Sequence, residues 1–265
     1  MVATFWISGR TPVFFGVSLL TGPHKPAQPH ARFRGRTGLK EYGDFVAQVD
    51  WTVGEVLKAI DASNEADNTL VFYTSDNGSY MYCYNDDKTK DHVDDVTVQG
   101  FRSEHHRANG MLRGTKADIW EAGHRVPFFV RWPGRIKPGT KNSAAVCLTD
   151  IYATCAAVAG VSVSDSEAED SISLLPMLQG KTEDRGLPII NHSSGGMFAI
   201  RDGQWKLIAG NGSGGRQAPK GTPFQKPYQL FNLRTDPGEA NNVADKHPEV
   251  IMRMTEALEV IRNGD

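Results

Sequence analysis

Cysteine is scarce, with Cys83, Cys147 and Cys155 the only three in 265 residues. The number is odd and no two stand in C-x-x-C spacing, which argues against a disulfide framework and against a thiolate zinc site. Free packing thiols are the expectation. Long hydrophobic runs are also missing. No stretch approaches the roughly 18 apolar residues that cross a bilayer as a helix, so no membrane partner is expected. Residues 13–20 (VFFGVSLL) have the texture of a secretory leader, but Arg10 is followed by Thr11-Pro12 and no A-x-A-like cleavage site follows. They read as a buried strand and leave the protein's location unassigned. Nor is there an excess of one charge. Lys and Arg number 29 against 31 Asp and Glu, a net charge of −2, which with 39% apolar residues speaks against disorder and against a general nucleic-acid surface.

At about 150 residues per domain, the length suits one large domain or a medium one with a small companion. Between residues 43 and 62, Phe45, Val46, Val49, Val53, Val56, Leu57 and Ile60 recur at three- and four-residue steps, which predicts an amphipathic helix. Residues 69–74 (TLVFYT) stop at Ser75-Asp76-Asn77-Gly78, and residues 126–132 (VPFFVRW) stop at Pro133-Gly134; both read as fully buried strands. Residues 149–158, with Thr149 and Asp150 as capping candidates and Gly160 beyond, read as a helix. This alternation predicts an α/β layer structure with a mainly parallel sheet flanked by helices over residues 1–185. After Gly180 the texture changes. FAIR, Asp202-Gly203 and QWKLIA give a hairpin, residues 228–233 a strand, Asp236-Pro237-Gly238 a turn, and residues 248–261 a helix. Residues 186–265 therefore read as a small antiparallel α+β subdomain.

Three short stretches can carry chemistry. Asp76 and Asn77 at a strand end offer hard oxygen donors suited to Ca²⁺ or Mg²⁺, or else belong to an ordinary Asn-Gly turn. Lys116, in LRGTK before WEAGHRVP, can present a compact cation to a tetrahedral anion, or lie solvated on the surface. His24 stands between Pro23 and Lys25-Pro26; the stiffened backbone displays it in a fixed direction, either as a donor to an anion or leaving group or as a plain loop histidine. Other patterns fail. GNGSGG at 210–215 lacks the G-x-G-x-x-G spacing and opens no helix, and HSSGG at 192–196 is not a G-x-S-x-G elbow; it reads as a loop near a site mouth. The charged stretch 79–111, with Asp86, Asp87, Asp91, His92, His105 and His106, reads either as a solvated loop or as a substrate contact.

Taken together and in order, PHKPAQP (23–29), YGDFVAQVDWTVGEVLKAI (42–60), TLVFYTSDNG (69–78), LRGTKADIWEAGHRVPFFVRWPG (112–134), TDIYATCAAVAG (149–160), FAIRDGQWKL (198–207) and YQLFNLRTDPGEANN (228–242) resemble the sulfatase family, arylsulfatase A type, of the alkaline phosphatase superfamily. The resemblance covers nearly the whole chain. It implies an alkaline phosphatase-like fold, here incomplete, and hydrolysis of sulfate esters of small molecules or glycans at a calcium-assisted site. It also implies roles: Asp76 and Asn77 as calcium ligands, Lys116 as the sulfate-binding lysine, and His24 as the histidine of the H-x-P motif. Such groups act on charge that develops as the S–O bond breaks.

The sequence departs from the family in two ways. No Cys or Ser stands in the C/S-x-P-x-R context from which the formylglycine nucleophile is made, and the Asp-Asp pair that sulfatases carry near their amino terminus as the first two calcium ligands is missing, Asp86-Asp87 and Asp94-Asp95 both following the DNG motif. The resemblance is therefore to the carboxy-terminal portion of a sulfatase, whose missing strand would leave an apolar sheet edge open to self-association. A phosphate or phosphonate ester hydrolase of the same superfamily, and a non-catalytic anion- or glycan-binding relative, are the alternatives.

Overall fold

The computed structural model describes residues 2–5, 13–24, 26–80, 106–164 and 166–263. Their order is β1 (Val2–Phe5), β2 (Val13–Gly16), α1 (Lys40–Ala62), β3 (Val71–Thr74), α2 (Glu121–His124), β4 (Phe128–Arg131), α3 (Asp150–Ala159), α4 (Leu175–Leu178), β5 (Ile189–His192), β6 (Phe198–Asp202), β7 (Trp205–Ile208), β8 (Gln229–Asn232) and α5 (Pro248–Asn263). The readings placed on Cys83, Asp86, Asp87, Asp91, His92, Asp94, Asp95 and His105 lie outside the described residues. Cys147 and Cys155 are free and half-buried. Among the described residues no helix is long and apolar enough to cross a membrane.

The expected mainly parallel sheet is not seen among the described residues. Every strand pair among the described residues is antiparallel: β1 with β2, β3 with β4, and β5-β6-β7-β8 in that order. A parallel pair needs a crossover, usually a long helix. Between β3 and β4 the only described helix is the four-residue α2, and β4 returns alongside β3 with Val71 opposite Arg131 and Thr74 opposite Phe128. Nor are these two strands fully buried. β3 is half-buried throughout, and Phe129 is 65% exposed. The strand expected over 13–20 ends at Gly16, and Val17, Leu19 and Leu20 are exposed.

Helix α1 forms over the predicted span, buries Tyr42 and Phe45, leaves Val46 and Val56 of the predicted apolar stripe exposed, and turns Val53 and Leu57 toward Val71, Tyr73, Pro127, Phe129 and Val130 across a groove of about 450 Å³. Helix α3 ends as expected, with Gly160 in the left-handed region that glycine adopts without a Cβ penalty. Asp150 at its start is fully buried. It accepts hydrogen bonds from Cys147 N (2.8 Å) and Ile172 N (3.0 Å) and a two-pronged pair from Arg185 at 2.8 and 3.1 Å.

The four-stranded sheet is built on strict alternation. Ile200, Leu207 and Leu230 cluster with Met254 and Leu258 of α5, while Ala199, Ile208 and Phe231 cluster with Ile119, Trp120, Met197 and Leu233. The hairpin β6–β7 turns at Gly203, φ +56°, with Asp202 opposite Trp205, as the Asp-Gly signal predicts. Thus the segment around Ile119 and Trp120, which carries Lys116, is packed onto the face of the sheet opposite α5.

Candidate functional site

At the end of β3 the chain is held by its own polar groups. Ser75 Oγ donates to Asn77 O (3.1 Å), Asn77 Nδ2 donates to Gly78 O (3.1 Å), and Gly78 N donates to Gly123 O (3.1 Å). A Cβ on Gly78 would stand 1.6 Å from the Ala122 carbonyl oxygen. Glycine is required there by close backbone approach, so Asn77-Gly78 is more than a surface turn. Asp76 is exposed and Asn77 half-buried.

Lys116 sits on the adjoining loop. Its N–H donates to Ser79 O (2.9 Å), and Asn109 clamps the same place, accepting from Ser79 N and donating to Ser79 O and Gly114 O, each at 3.3 Å. Asp118 N donates to Thr115 O (3.0 Å) and Ala117 has φ +82°, the marks of a type II turn with alanine where glycine is usual. Buried Asp118 fixes that turn. One carboxylate oxygen accepts from Thr115 N (3.0 Å) and Thr115 Oγ1 (3.4 Å), the other from Arg216 N (2.6 Å) and Gln217 N (3.1 Å). Burial pushes the Asp118 carboxyl above its usual range against these donors. The Ala117 carbonyl accepts from Ser194 N (3.1 Å), and a Cβ on Gly215 would lie 2.3 Å from it. The loops 75–79, 109–118, 193–196 and 210–217 therefore meet around Lys116, itself half-buried. The glycine-rich stretch serves close packing, and of the HSSGG segment read as a loop, His192 instead closes strand β5 (Ile189–His192).

His24 is exposed on a separate loop, with its N–H donating to Thr21 O (3.0 Å). Gly22 packs on Val49 and Phe45 of α1, where a Cβ would come within 2.8 Å of Val49. The same helix reaches the DNG loop through Tyr42, whose ring stands edge-on to Tyr80 at 6.2 Å. The structure thus brings Asp76, Asn77 and Lys116 onto adjoining loops, and His24 is linked to them through α1. Among the described residues no group of three or more His, Cys, Asp or Glu side chains is disposed to hold a metal ion. Asp76 and Asn77 match a hard cation in donor type but supply two donors of the six to eight that calcium takes.

Beneath the loops lies an ionic cluster that sequence reasoning missed. Lys206, 1% exposed, places its ammonium 3.1 Å from Glu121 and 2.9 Å from Glu239. Arg201, directly across from Lys206 in the β6–β7 register, reaches Glu121 at 3.5 Å, and Glu121 N donates to Glu239 Oε2 (2.6 Å). Burial opposes ionisation of Glu121, yet the charges of Lys206 and Arg201 hold its carboxyl below the usual range. Burial leaves Glu239 above that range despite Lys206. Beside them, burial and the Lys206 ammonium push His124 down to about 4. The one available signal was Lys206 itself, a charge inside the short apolar strand QWKLIA.

Residues 6–161 match the family model described as Sulfatase, and residues 115–264 match N-sulphoglucosamine sulphohydrolase, C-terminal. The chain is 36% identical over 267 residues to the N-acetylgalactosamine-6-O-sulfatase of Bacteroides thetaiotaomicron, covering 98% of this chain and 49% of that protein. It is 28% identical to arylsulfatase A of Bos taurus, covering 90% of this chain and 45% of that one. A solved structure titled for the metabolism of multiple glycosaminoglycans by Bacteroides thetaiotaomicron superposes with a TM-score of 0.78 at 34% identity, covering 92% of this chain and 49% of that one. The chain spans about half the length of these relatives.

Proposed function

Since the chain belongs to the sulfatase family of the alkaline phosphatase superfamily, we propose that the loops around Lys116 form the anion-binding part of a site that hydrolyses sulfate esters of small molecules or glycans. The observation that carries this reading is the backbone coupling of two loops: Lys116 N to Ser79 O, and Gly78 N to Gly123 O. It holds the backbone of the Lys116 loop against the loop that follows Asp76 and Asn77, with buried Asp118 and half-buried Asn109 bonded to the same segment.

In this reading Lys116 binds a sulfate oxygen, and its charge counts for more as negative charge grows in the transition state. His24 would serve the leaving alcohol oxygen as hydrogen-bond or proton donor as the S–O bond breaks, the oxygen nucleophile that attacks sulfur being assigned to no residue of this chain. Asp76 and Asn77 would hold calcium, which neutralises sulfate charge when bound. With two ligands from these residues, affinity should be no better than about 10⁻⁴–10⁻³ M. The sequence contains no C/S-x-P-x-R from which a formylglycine nucleophile is made, so no covalent step is assigned to this chain. Residues 1–185 and 186–265 are taken as the two parts of the unit, joined by the Lys206 cluster. The half-exposed β3–β4 edge is taken as a surface for self-association.

Titrating isotope-labelled protein with sodium sulfate tests the site. Amide shifts should concentrate at residues 76–79 and 114–118 and vanish in Lys116→Ala. Shifts spread over the surface, or retained in Lys116→Ala, would overturn the assignment.

A further inference from the structure

Residues 1–40 contain no Asp or Glu, yet hold Arg10, Lys25, Arg32, Arg34, Arg36 and Lys40; the other 225 residues carry 23 Lys and Arg against all 31 carboxylates. A chain with a net charge of −2 is thus strongly polarised. The described part of this segment is firmly built. Phe33 is buried, His30 N donates to Gln48 Oε1 of α1 (2.7 Å), and buried Asp44 of α1 accepts from Gly35 N (2.6 Å), Thr37 N (2.8 Å) and Thr37 Oγ1 (3.0 Å). Those donors hold the Asp44 carboxyl below its usual range although burial opposes this.

Between the anchors, Arg32, Arg34 and Arg36 are all exposed. The Arg32 guanidinium lies 3.5 Å from the Trp51 ring centroid and 4.6 Å from that of Phe33, Arg36 Nε donates to Arg32 O (3.0 Å), and Arg34 Nε donates to Pro29 O (3.4 Å). Among the described residues no carboxylate pairs with any of the three. Three like charges in five residues repel one another, and they are held in place by stacking of Arg32 and Arg36 and by the Nε bonds of Arg34 and Arg36, the three residues remaining exposed. Ordered guanidinium edges of this kind suit sulfate and carboxylate oxygens, and their pre-ordering lowers the entropic cost of binding.

We propose that Arg32, Arg34 and Arg36 form a binding ledge for a polyanionic glycan, a sulfated polysaccharide chain, on the segment that also carries His24. The choice of a glycan rests on the sulfate-ester reading of the Lys116 site. The geometry itself disfavours single-stranded nucleic acid, because single strands bind through cations combined with open aromatic platforms. Here Phe33 is buried and a face of Trp51 is covered by Arg32.

The test is binding of the 265-residue protein to surface-immobilised chondroitin 6-sulfate, with dextran and single-stranded DNA as comparison surfaces. The substitutions R32Q/R34Q/R36Q should weaken binding about tenfold or more, equivalent to about 1.4 kcal/mol. The control R135Q/K137Q/K141Q, which removes equal charge from another exposed stretch, should leave it unchanged. The pair R34Q/R36Q, which spares the Arg32–Trp51 stack, should retain the melting temperature and still lose affinity. Equal loss in the control, no loss in the ledge variants, or tighter binding to DNA than to the glycan would overturn the proposal. Because binding and not turnover is read, failure here is distinct from failure of the sulfate-site titration.

Discussion

The ammonium of Lys206 lies 3.1 Å from the carboxylate of Glu121, 85 residues earlier in the chain, and this pair fastens the loop that carries Lys116 to the β5–β8 sheet. Both groups are buried, so neither is solvated if the other is lost. Lys206→Met should therefore cost about 3–5 kcal/mol of stability, as removal of one partner from a buried pair does. Urea unfolding measures it; a loss under about 1 kcal/mol, the range of an exposed pair, would show that the cluster is wetter than its burial indicates.

His124 makes the cluster sensitive to acid. Its Nε2 is buried with no hydrogen-bond partner among the described residues, and its folded pKa of about 4 lies below the ordinary 6.5. As pH falls from 6.5 toward 4 the unfolded chain takes up this proton first, so stability drops, by at most about 1.4 kcal/mol per pH unit from this group. His124→Gln should flatten the unfolding free energy over that window. An unchanged slope would contradict the assignment.

Ala117 holds a positive φ beside Lys116, a conformation that costs an L-residue about 1–2 kcal/mol. Glycine relieves that strain and returns roughly 0.5–1 kcal/mol of it as lost chain entropy. Ala117→Gly should raise stability by about 0.5–1 kcal/mol, measured as a higher melting temperature. A lower one would mean that the alanine methyl contributes packing at the turn.

Strands β6 and β7 lie between neighbours in the four-stranded sheet, whereas β3 and β4 have only each other among the described strands. Amides of residues 71–74 should exchange faster with solvent than those of 198–202 and 205–208, and analytical ultracentrifugation should show self-association. A monomer with equally slow exchange in both regions would contradict an open edge.

Local signals in the sequence were reliable where a structural decision is local. The three- and four-residue spacing from Phe45 to Ile60, Gly160 after α3 and Asp202-Gly203 between β6 and β7 each encode their element within a few residues. Strand direction is not local: TLVFYT and VPFFVRW read the same in a parallel or an antiparallel pair, and the connection between them decides. Strand β5 was lost because Ile189 and Ile190 were too short a signal beside Asn191 and His192. The candidate site was legible only as residue types in a given order, Asp76, Asn77 and Lys116, whose roles are a proposal. What holds it was not. The burial of Lys206 depends on Glu121 and Glu239, and the need for Gly78 and Gly215 depends on the carbonyls of Ala122 and Ala117, all distant in the chain.

The most direct measurement of the central claim is calorimetric titration with N-acetylgalactosamine 6-sulfate and with unsulfated N-acetylgalactosamine, using wild-type protein, Lys116→Ala and R32Q/R34Q/R36Q. The account predicts that the sulfated sugar binds wild type and the ledge variant alike, binds Lys116→Ala at least about tenfold more weakly, and is preferred over the unsulfated sugar. Equal binding by Lys116→Ala and wild type, or no preference for the sulfated sugar, would contradict it.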